Sequence, residues 1–208
     1  MLRIILVLFL CLCLLCSGCT YLFSTAYGFK SPKKLNSDQI ADQARKYNIP
    51  AENSFELDIT FFFGYLKSFD TIQYREQVKN HYQPLQALYF DKHGQLQNFH
   101  INCYAGGFPN MQWNRNGNFE TFPPKPQAPV DTLVSYQTLS RYLKPLSGTK
   151  PITVLADDYT VVVFWSRVMG RQSKRLIQSV QQNTAKSGNQ KIRLIYVNND
   201  DLMAEFWK

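Results

Sequence analysis

The chain has 208 residues, of which 45% are hydrophobic and 18% charged, a size that admits one ordinary domain with at most a small companion. Its formal net charge is +8 at pH 7, and only Arg3 is charged in the first eighteen residues, so the positive excess lies on the remainder. Basic charge with 14% aromatic residues is compatible with nucleic-acid binding. Because the N-terminal residues predict export from the cytoplasm, we expect no nucleic-acid partner.

The N-terminus has the layout of a secretory signal. A short basic start precedes an unbroken apolar run from Ile4 to Cys16, and two small residues come directly before Cys19. This ending resembles the lipobox of bacterial lipoproteins, which implies that Cys19 is acylated and becomes the mature N-terminus. The sequence thus predicts a signal peptide at 1–18 and membrane attachment through a lipid on Cys19.

An uncleaved anchor is the alternative. Ile4 to Phe23 supplies twenty residues, which is about the length that a helix needs to span a bilayer. Both hypotheses tether the protein outside the cytoplasm, in the cell envelope. Thr20 stands where some lipoproteins carry an acidic residue that retains them in the inner membrane, so the resemblance favours the outer membrane.

The cysteine count predicts a protein without an intrachain disulfide. Three of the five cysteines, Cys11, Cys13 and Cys16, leave with the signal, and Cys19 takes the lipid. Cys103 then remains as a single thiol, which cannot close an intrachain disulfide even in an oxidising compartment.

A tether is predicted at 19–36, where three lysines surround Pro32. Lysines near a membrane add weak attraction to anionic lipid, and a solvated linker explains them equally. The next region, 37–122, is predicted to be α+β. Its elements are a helix from a cap at Asn36 or Ser37 to Pro50, a buried strand at 55–63, a weaker helix at 69–82, and hairpins at 88–101 and 111–122, each with a glycine in its turn.

A stiff proline-rich connector at 123–131 leads into the last region, 132–208. This region contains a predicted helix at 132–143, strands at 152–155, 159–165 and 192–197, and a helix at 172–182. Nearly continuous apolar strands that flank one helix predict a βαβ unit with parallel strands.

This unit carries a family resemblance. DYTVVVFWSRVMGRQSKRLIQSV (158–180) and KIRLIYVNNDD (191–201) resemble the thioredoxin-like pattern of an apolar strand ending in Phe-Trp, a turn, a helix and a second strand. The expected fold is therefore α+β or α/β, with antiparallel hairpins followed by a variant thioredoxin-like βαβ unit. The chain ends soon after that unit, so any further strands of the sheet must come from 55–63 or from the two hairpins.

The resemblance also locates a degenerate redox site. Its two cysteine positions fall on Met169 and Gln172, with Gly170 and Arg171 between them, and none of the four is a thiol. Dithiol exchange needs one thiolate to attack and a second thiol to resolve the mixed disulfide. We therefore expect this site to be redox-inactive, without a cofactor, and we expect Met169 to pack on the sheet with the apolar face of the helix.

Two other groups of residues are candidates for function. The cations at the start of the predicted helix form either an anion site or an ordinary solvated basic face; they are Arg167, Arg171, Lys174 and Arg175. Cys103 is either a reactive thiol, with His100 as its base, or a buried inert cysteine. On a continuous strand these two side chains would point to opposite faces. The scattered histidines have no spacing typical of a metal site.

Three functions remain open from the sequence. The first is a membrane-anchored lipoprotein with a redox-inactive thioredoxin-like module that binds an envelope partner or acts as a scaffold. The second is a thiol enzyme that forms mixed disulfides through Cys103. The third is an anchored carrier of a small anionic ligand, bound at the basic cluster.

Overall fold

The computed structural model describes residues 28–103, 112–146 and 157–206. This part of the chain contains a six-stranded sheet, six α-helices and two short 3-10 helices. The strands are β1 (Ser54–Leu57), β2 (Gln86–Asp91), β3 (Leu96–Ile101), β4 (Leu143–Pro145), β5 (Tyr159–Trp165) and β6 (Ile192–Asn198). The α-helices are α1 (Ser37–Lys46), α2 (Ile59–Lys67), α3 (Arg75–His81), α4 (Tyr136–Ser140), α5 (Gly170–Thr184) and α6 (Asp200–Phe206).

The strand order in the sheet is β3-β2-β5-β6-β1-β4. β5 and β6 pair in parallel, with Val162 opposite Ile195, which confirms the predicted βαβ unit around α5. β1 adds a second parallel pair on the far side of β6. The β2–β3 hairpin pairs antiparallel to β5. Strands from both predicted regions therefore belong to one mixed sheet, and the protein has a mixed α/β fold.

The sheet separates two hydrophobic cores. On one face α1 and α5 pack over alternate residues of the central strands, including Val161, Val163 and Tyr196. On the other face α2, α3 and α4 pack over the intervening residues, such as Val162 and Ile195. Because strand side chains alternate between faces, the continuous apolar runs of β5 and β6 supply both cores. The fold has three layers, with helices on each side of the sheet.

α1 begins where its sequence predicts. The Asn36 side chain accepts a hydrogen bond from Gln39 N at 2.9 Å, and the Gln39 side chain accepts one from Asn36 N at 3.2 Å. This reciprocal capping box satisfies two of the donors that a helix N-terminus leaves unpaired.

The predicted strand at 55–63 is wrong beyond its first residues. β1 ends at Leu57, and α2 begins at Ile59 after Asp58, whose side chain accepts from Phe61 N at 3.3 Å. The aromatic run then buries Phe62 and Leu66, which lie four residues apart on one helical face. A continuous apolar run fits a strand or a helix, and here the aspartate cap selects the helix.

The predicted second hairpin at 111–122 is also wrong. The described residues 112–122 contain a 3-10 turn at Arg115–Gly117 and no strand. The Asn114 side chain accepts from Phe119 N at 2.7 Å, which closes the loop on itself, and Trp113 and Phe119 are both buried. These two aromatic side chains contribute to the core from a loop, without a partner strand.

Three other predicted elements differ in extent or lie elsewhere. The helix predicted at 69–82 forms only as α3, and the helix predicted at 132–143 forms only as α4, because Ser135 caps it late and the chain then enters β4. The strand predicted at 152–155 lies outside the described residues.

The proline-rich connector packs along the edge of the sheet. Ala128 N donates to Phe99 O at 3.0 Å, and the Gln127 side chain hydrogen-bonds both the N–H and the C=O of Ile101. These contacts cover part of the outer edge of β3, which would otherwise present unpaired backbone groups.

The predicted tether at 19–36 is wrong for its second half. Residues 28–36 lie against the domain: Phe29 and Leu35 pack on the first core, and Lys34 Nζ lies 3.8 Å from Glu205 Oε1 on α6. Proline and lysine content suggested a solvated linker, whereas two apolar side chains within the segment anchor it. Residues 19–27 lie outside the described part of the chain.

Candidate functional site

The turn between β5 and α5 lies at the carboxyl ends of the parallel strands. β5 ends at Trp165, and Asn199, just after β6, donates its N–H to Trp165 O at 3.1 Å. In open α/β sheets, ligands bind at this edge, where neighbouring strands deliver their loops. The residues of this turn are therefore the first candidates for a functional site.

A buried polar cluster fixes the base of the turn. Asp200 is 1% exposed, and its carboxylate accepts hydrogen bonds from Ser166 Oγ at 2.5 Å, Val168 N at 3.2 Å and Asn198 Nδ2 at 3.0 Å. Ser173 Oγ bonds both the N–H and the C=O of Ser166. A buried carboxylate needs such donors to offset its loss of water. The cluster ties the loop after β6 to the loop after β5.

Met169 and Gln172, the two positions that the resemblance assigns to redox cysteines, are both buried. Met169 is 9% exposed and packs in the first core with Leu176, Ile177 and Val180, as predicted. Gln172 is 2% exposed, and its backbone carbonyl accepts from Trp113 Nε1 at 3.2 Å. Neither atom of its side-chain amide makes a hydrogen bond within the described residues. No thiol occupies the turn.

Residues 28–31, here called the N-terminal strap, cross over this turn. Lys30 N donates to Val168 O at 3.0 Å, and the Arg167 guanidinium donates to Ser31 O. Gly170 has a φ of +47°, and a Cβ at this position would lie 1.8 Å from Gly28 O. The strap fits against the turn because residue 170 has no side chain. The surface of this turn at Val168 and Gly170 is thus covered by the protein itself.

The structure separates the four predicted cations into two environments. Arg171, Lys174 and Arg175 are exposed on the first turns of α5. Arg167 is half-buried and donates to the strap carbonyl, so it serves the turn. Cations at a helix N-terminus oppose the helix dipole, and α5 gains no stability from them. The prediction of an anion site stays a prediction.

Cys103 lies two residues beyond the end of β3, in a half-buried position. Asn102 Nδ2 lies 3.3 Å from its sulfur, and burial raises the pKa of the thiol despite that hydrogen bond. His100 is fully buried, 4.5 Å from the Phe119 ring centroid, and burial lowers its pKa to about 4, opposed by the Lys125 backbone. No hydrogen bond joins His100 to Cys103 in the described structure. A protonated thiol without a base is a weak nucleophile.

Sequence reasoning missed a buried histidine–carboxylate pair. His81 Nε2 lies 3.2 Å from both carboxylate oxygens of Asp131, with both side chains buried, and the His81 ring stacks on Phe99 with centroids 4.8 Å apart. The pair joins α3 to the segment before α4. Fifty positions separate the two residues, and no local pattern signals a contact over that distance.

Sequence reasoning also missed a groove between α2 and α3. This α2–α3 groove has a volume of about 990 Å³. Its lining includes four apolar side chains, here called the floor, and three basic ones; they are Ile59, Phe63, Val78 and Tyr82, and Lys67, Arg75 and Lys79. The signal was present in the sequence: reading 59–67 as a helix places Ile59, Phe63 and Lys67 on one face. The strand interpretation of 55–63 concealed it.

Across the described residues, no group of three or more His, Cys, Asp and Glu side chains is placed to hold a metal ion. No helix in this part of the chain has the length and apolarity needed to cross a membrane. Comparison with protein families, with curated proteins and with solved structures finds no match to this chain.

Proposed function

We propose that this protein is a membrane-anchored bacterial lipoprotein whose folded part is a redox-inactive, thioredoxin-like module used for binding or scaffolding in the cell envelope. The observation that carries the proposal is the turn after β5. An aromatic-ended strand runs into a helix at the point where a dithiol would stand, yet Met169 and Gln172 are buried there, and the N-terminal strap crosses the turn at Val168.

The strand arrangement supports the thioredoxin-like part of the proposal. That pattern places a parallel strand on one side of the strand that bears the redox turn and an antiparallel strand pair on the other. Here β6 takes the first place and the β2–β3 hairpin takes the second. The hairpin comes before the βαβ unit in the chain, whereas the family pattern has it after that unit. We infer a thioredoxin-like sheet with its strand pair supplied from upstream.

The short distance between Cys19 and the strap supports a binding role close to the membrane. Eight residues, 20–27, lie between the lipidation position Cys19 and Gly28, so nine residue-to-residue steps join the two positions. Even fully extended they span about 30 Å, since each residue reaches at most about 3.3–3.6 Å. A lipid on Cys19 would therefore hold the domain near the bilayer surface. The same anchor, with Thr20 after the cysteine, favours the outer membrane.

The properties of Cys103 support binding over thiol catalysis. A half-buried thiol whose pKa is raised has little thiolate at neutral pH. The wild-type protein should therefore show no disulfide reductase activity toward insulin. Activity that vanished on Cys103→Ser would instead support a thiol enzyme.

Restoring the missing cysteines tests the thioredoxin-like assignment. Met169 caps α5 and Gln172 lies in its first turn, so Met169→Cys with Gln172→Cys places two thiols three residues apart on one helical face. We expect the double variant to form an internal disulfide under mild oxidant, and each single variant to form none. Two thiols that stay reduced in folded protein would argue against the assignment.

A further inference from the structure

The α2–α3 groove has the size and lining of a ligand site. Its volume of about 990 Å³ lies at the upper end of small-molecule sites, which run from about 300 to 1,000 Å³. The Phe63 and Tyr82 rings stack at its floor with centroids 4.4 Å apart. Gly64 opens onto the groove, and a Cβ built there would meet no atom within 4 Å. The floor is therefore both apolar and accessible.

The charges beside this floor are mostly positive. Lys67, Arg75 and Lys79 all line the groove, and the single lining carboxylate, Glu205, lies 3.8 Å from Lys34. Lys79 is 3.9 Å from Glu76 in an exposed pair, which contributes little. Within the described residues, neither Lys67 nor Arg75 forms an ion pair. An anionic group placed between those two side chains would gain charge complementarity.

We propose that the α2–α3 groove binds a free amphiphile with one alkyl chain and an anionic head, such as a fatty acid or an alkyl phosphate. The chain lies on the floor formed by Ile59, Phe63, Val78 and Tyr82, and the head lies between Lys67 and Arg75. The proposal does not depend on lipidation of Cys19 or on the origin of the sheet.

The form of the floor favours an alkyl chain over an acidic peptide. Peptide recognition by strand addition uses a sheet edge, and recognition of an amphipathic helix uses successive anchor side chains along a groove. Here Phe63 and Tyr82 stack on each other, and the groove residues come from α2, α3, the loop between them, Tyr82 and Glu205, with no strand among them. Burying each methylene of an alkyl chain on such a surface contributes about 0.8 kcal/mol.

Binding can be measured with the full chain in phosphatidylcholine nanodiscs by methyl NMR of Ile59 and Val78. We expect octyl phosphate to shift both methyl signals in a saturable way. Butyl phosphate has the same head and a shorter chain, and it should bind about 150-fold more weakly, because four methylenes contribute about 3 kcal/mol and each 1.4 kcal/mol is tenfold in affinity. Octyltrimethylammonium has the same chain and the opposite charge, and it should bind about tenfold more weakly. Equal binding of the two octyl compounds, or no shift with octyl phosphate, would overturn the proposal.

Two matched pairs of variants test the apolar floor and the basic side chains of the groove separately. Gly64→Trp fills the open space above the floor and should abolish octyl phosphate binding, whereas Gly64→Ala should retain it. Lys67→Glu with Arg75→Glu should remove the preference for the anionic head, whereas Lys46→Glu with Lys92→Glu, at two exposed positions outside the groove, changes the net charge equally and should leave that preference intact. Lys67 and Arg75 are exposed, so their double variant remains informative even if Gly64→Trp fails to fold. Unchanged binding in the Lys67 and Arg75 double variant would refute the assigned head-group position.

Photo-crosslinking in cells identifies the natural occupant. Thr60 lines the groove and is exposed, so p-benzoylphenylalanine in its place should capture whatever lies on the floor of the full-length protein. An adduct with the mass of a single-chain anionic lipid is the expected result. A protein adduct, a diacyl phospholipid adduct or no lipid adduct would overturn the proposal in favour of a protein-docking or bilayer-contacting surface.

Discussion

Gly170→Ala should destabilise the protein far more than a substitution at another glycine of the same backbone conformation. Gly170 has a φ of +47°, where an L-residue costs about 1–2 kcal/mol. Its new Cβ would also lie 1.8 Å from Gly28 O, well inside van der Waals contact, so the strap must move away. Gly188 has a φ of +64° and no atom within 4 Å of a built Cβ, so Gly188→Ala has only the backbone cost.

The difference between the two variants measures how strongly the strap is docked. Displacing the strap breaks the hydrogen bond from Lys30 N to Val168 O, at about 1 kcal/mol. It also exposes part of Phe29, a further loss of about 1 kcal/mol if half of the usual gain for a buried phenylalanine is lost. The gain from restricting the unfolded chain is similar in both variants and cancels. Gly170→Ala should thus be about 2 kcal/mol less stable than Gly188→Ala, a difference of about 4–8 °C in melting temperature.

Urea unfolding of the two variants provides the assay, with tryptic cleavage at Lys30 as a second measurement. Lys30 is exposed, and an undocked strap should be cut faster in Gly170→Ala than in Gly188→Ala. If the two variants have unfolding free energies within about 0.5 kcal/mol of each other, the strap contributes nothing and its docking on the turn is refuted.

Three further predictions concern the basic cluster, Cys103 and His100. Arg171→Glu with Arg175→Glu should change the unfolding free energy by no more than about 0.5 kcal/mol, because both side chains are exposed; a loss above about 2 kcal/mol would mean that they hold structure. Cys103 should react with iodoacetamide at pH 7 more slowly than free cysteine, because burial raises the pKa of its thiol; alkylation at the rate of free cysteine would contradict that burial. Cys103→Ser should change the free energy of unfolding by no more than about 1 kcal/mol. The pKa of His100 is about 4 in the folded protein, against an ordinary value of 6.5. As the pH falls, the unfolded chain therefore takes up a proton at a higher pH than the folded protein does. The free energy of unfolding should fall by about 3 kcal/mol between pH 6.5 and pH 4. Urea unfolding at several pH values should show this loss in the wild type and a smaller one in His100→Phe, and identical pH profiles would contradict the buried neutral histidine.

Local patterns predicted the central unit of the fold because its signals are short-range. The apolar runs of β5 and β6 and the apolar face of α5 lie within about forty residues, and each element can be recognised from its own periodicity. Some of the strands that pair with that unit are distant from it in the sequence. β1 pairs with β6 across about 140 residues, a contact that no periodicity encodes. The order of the strands that complete the sheet could therefore not be predicted from the sequence.

The errors of prediction have identifiable physical causes. In 55–63 the aromatic run suits a strand or a helix, and the Asp58 side chain that caps α2 decides between them. Around Gly117 a turn sequence resembles that of a hairpin, but Trp113 and Phe119 reach the core from an irregular loop. The resemblance pointed to the turn after β5. The strap that covers this turn could not be predicted, because the two contact each other across about 140 residues of chain.

Intact-mass and tryptic mass spectrometry of the protein purified from bacterial membranes test the central claim most directly. The account predicts a mature chain that begins at Cys19, carries acyl groups on that residue, and leaves the membrane fraction when Cys19 is replaced by serine. Recovery of a chain that still begins at Met1, with an unmodified Cys19, would contradict the anchored-lipoprotein account.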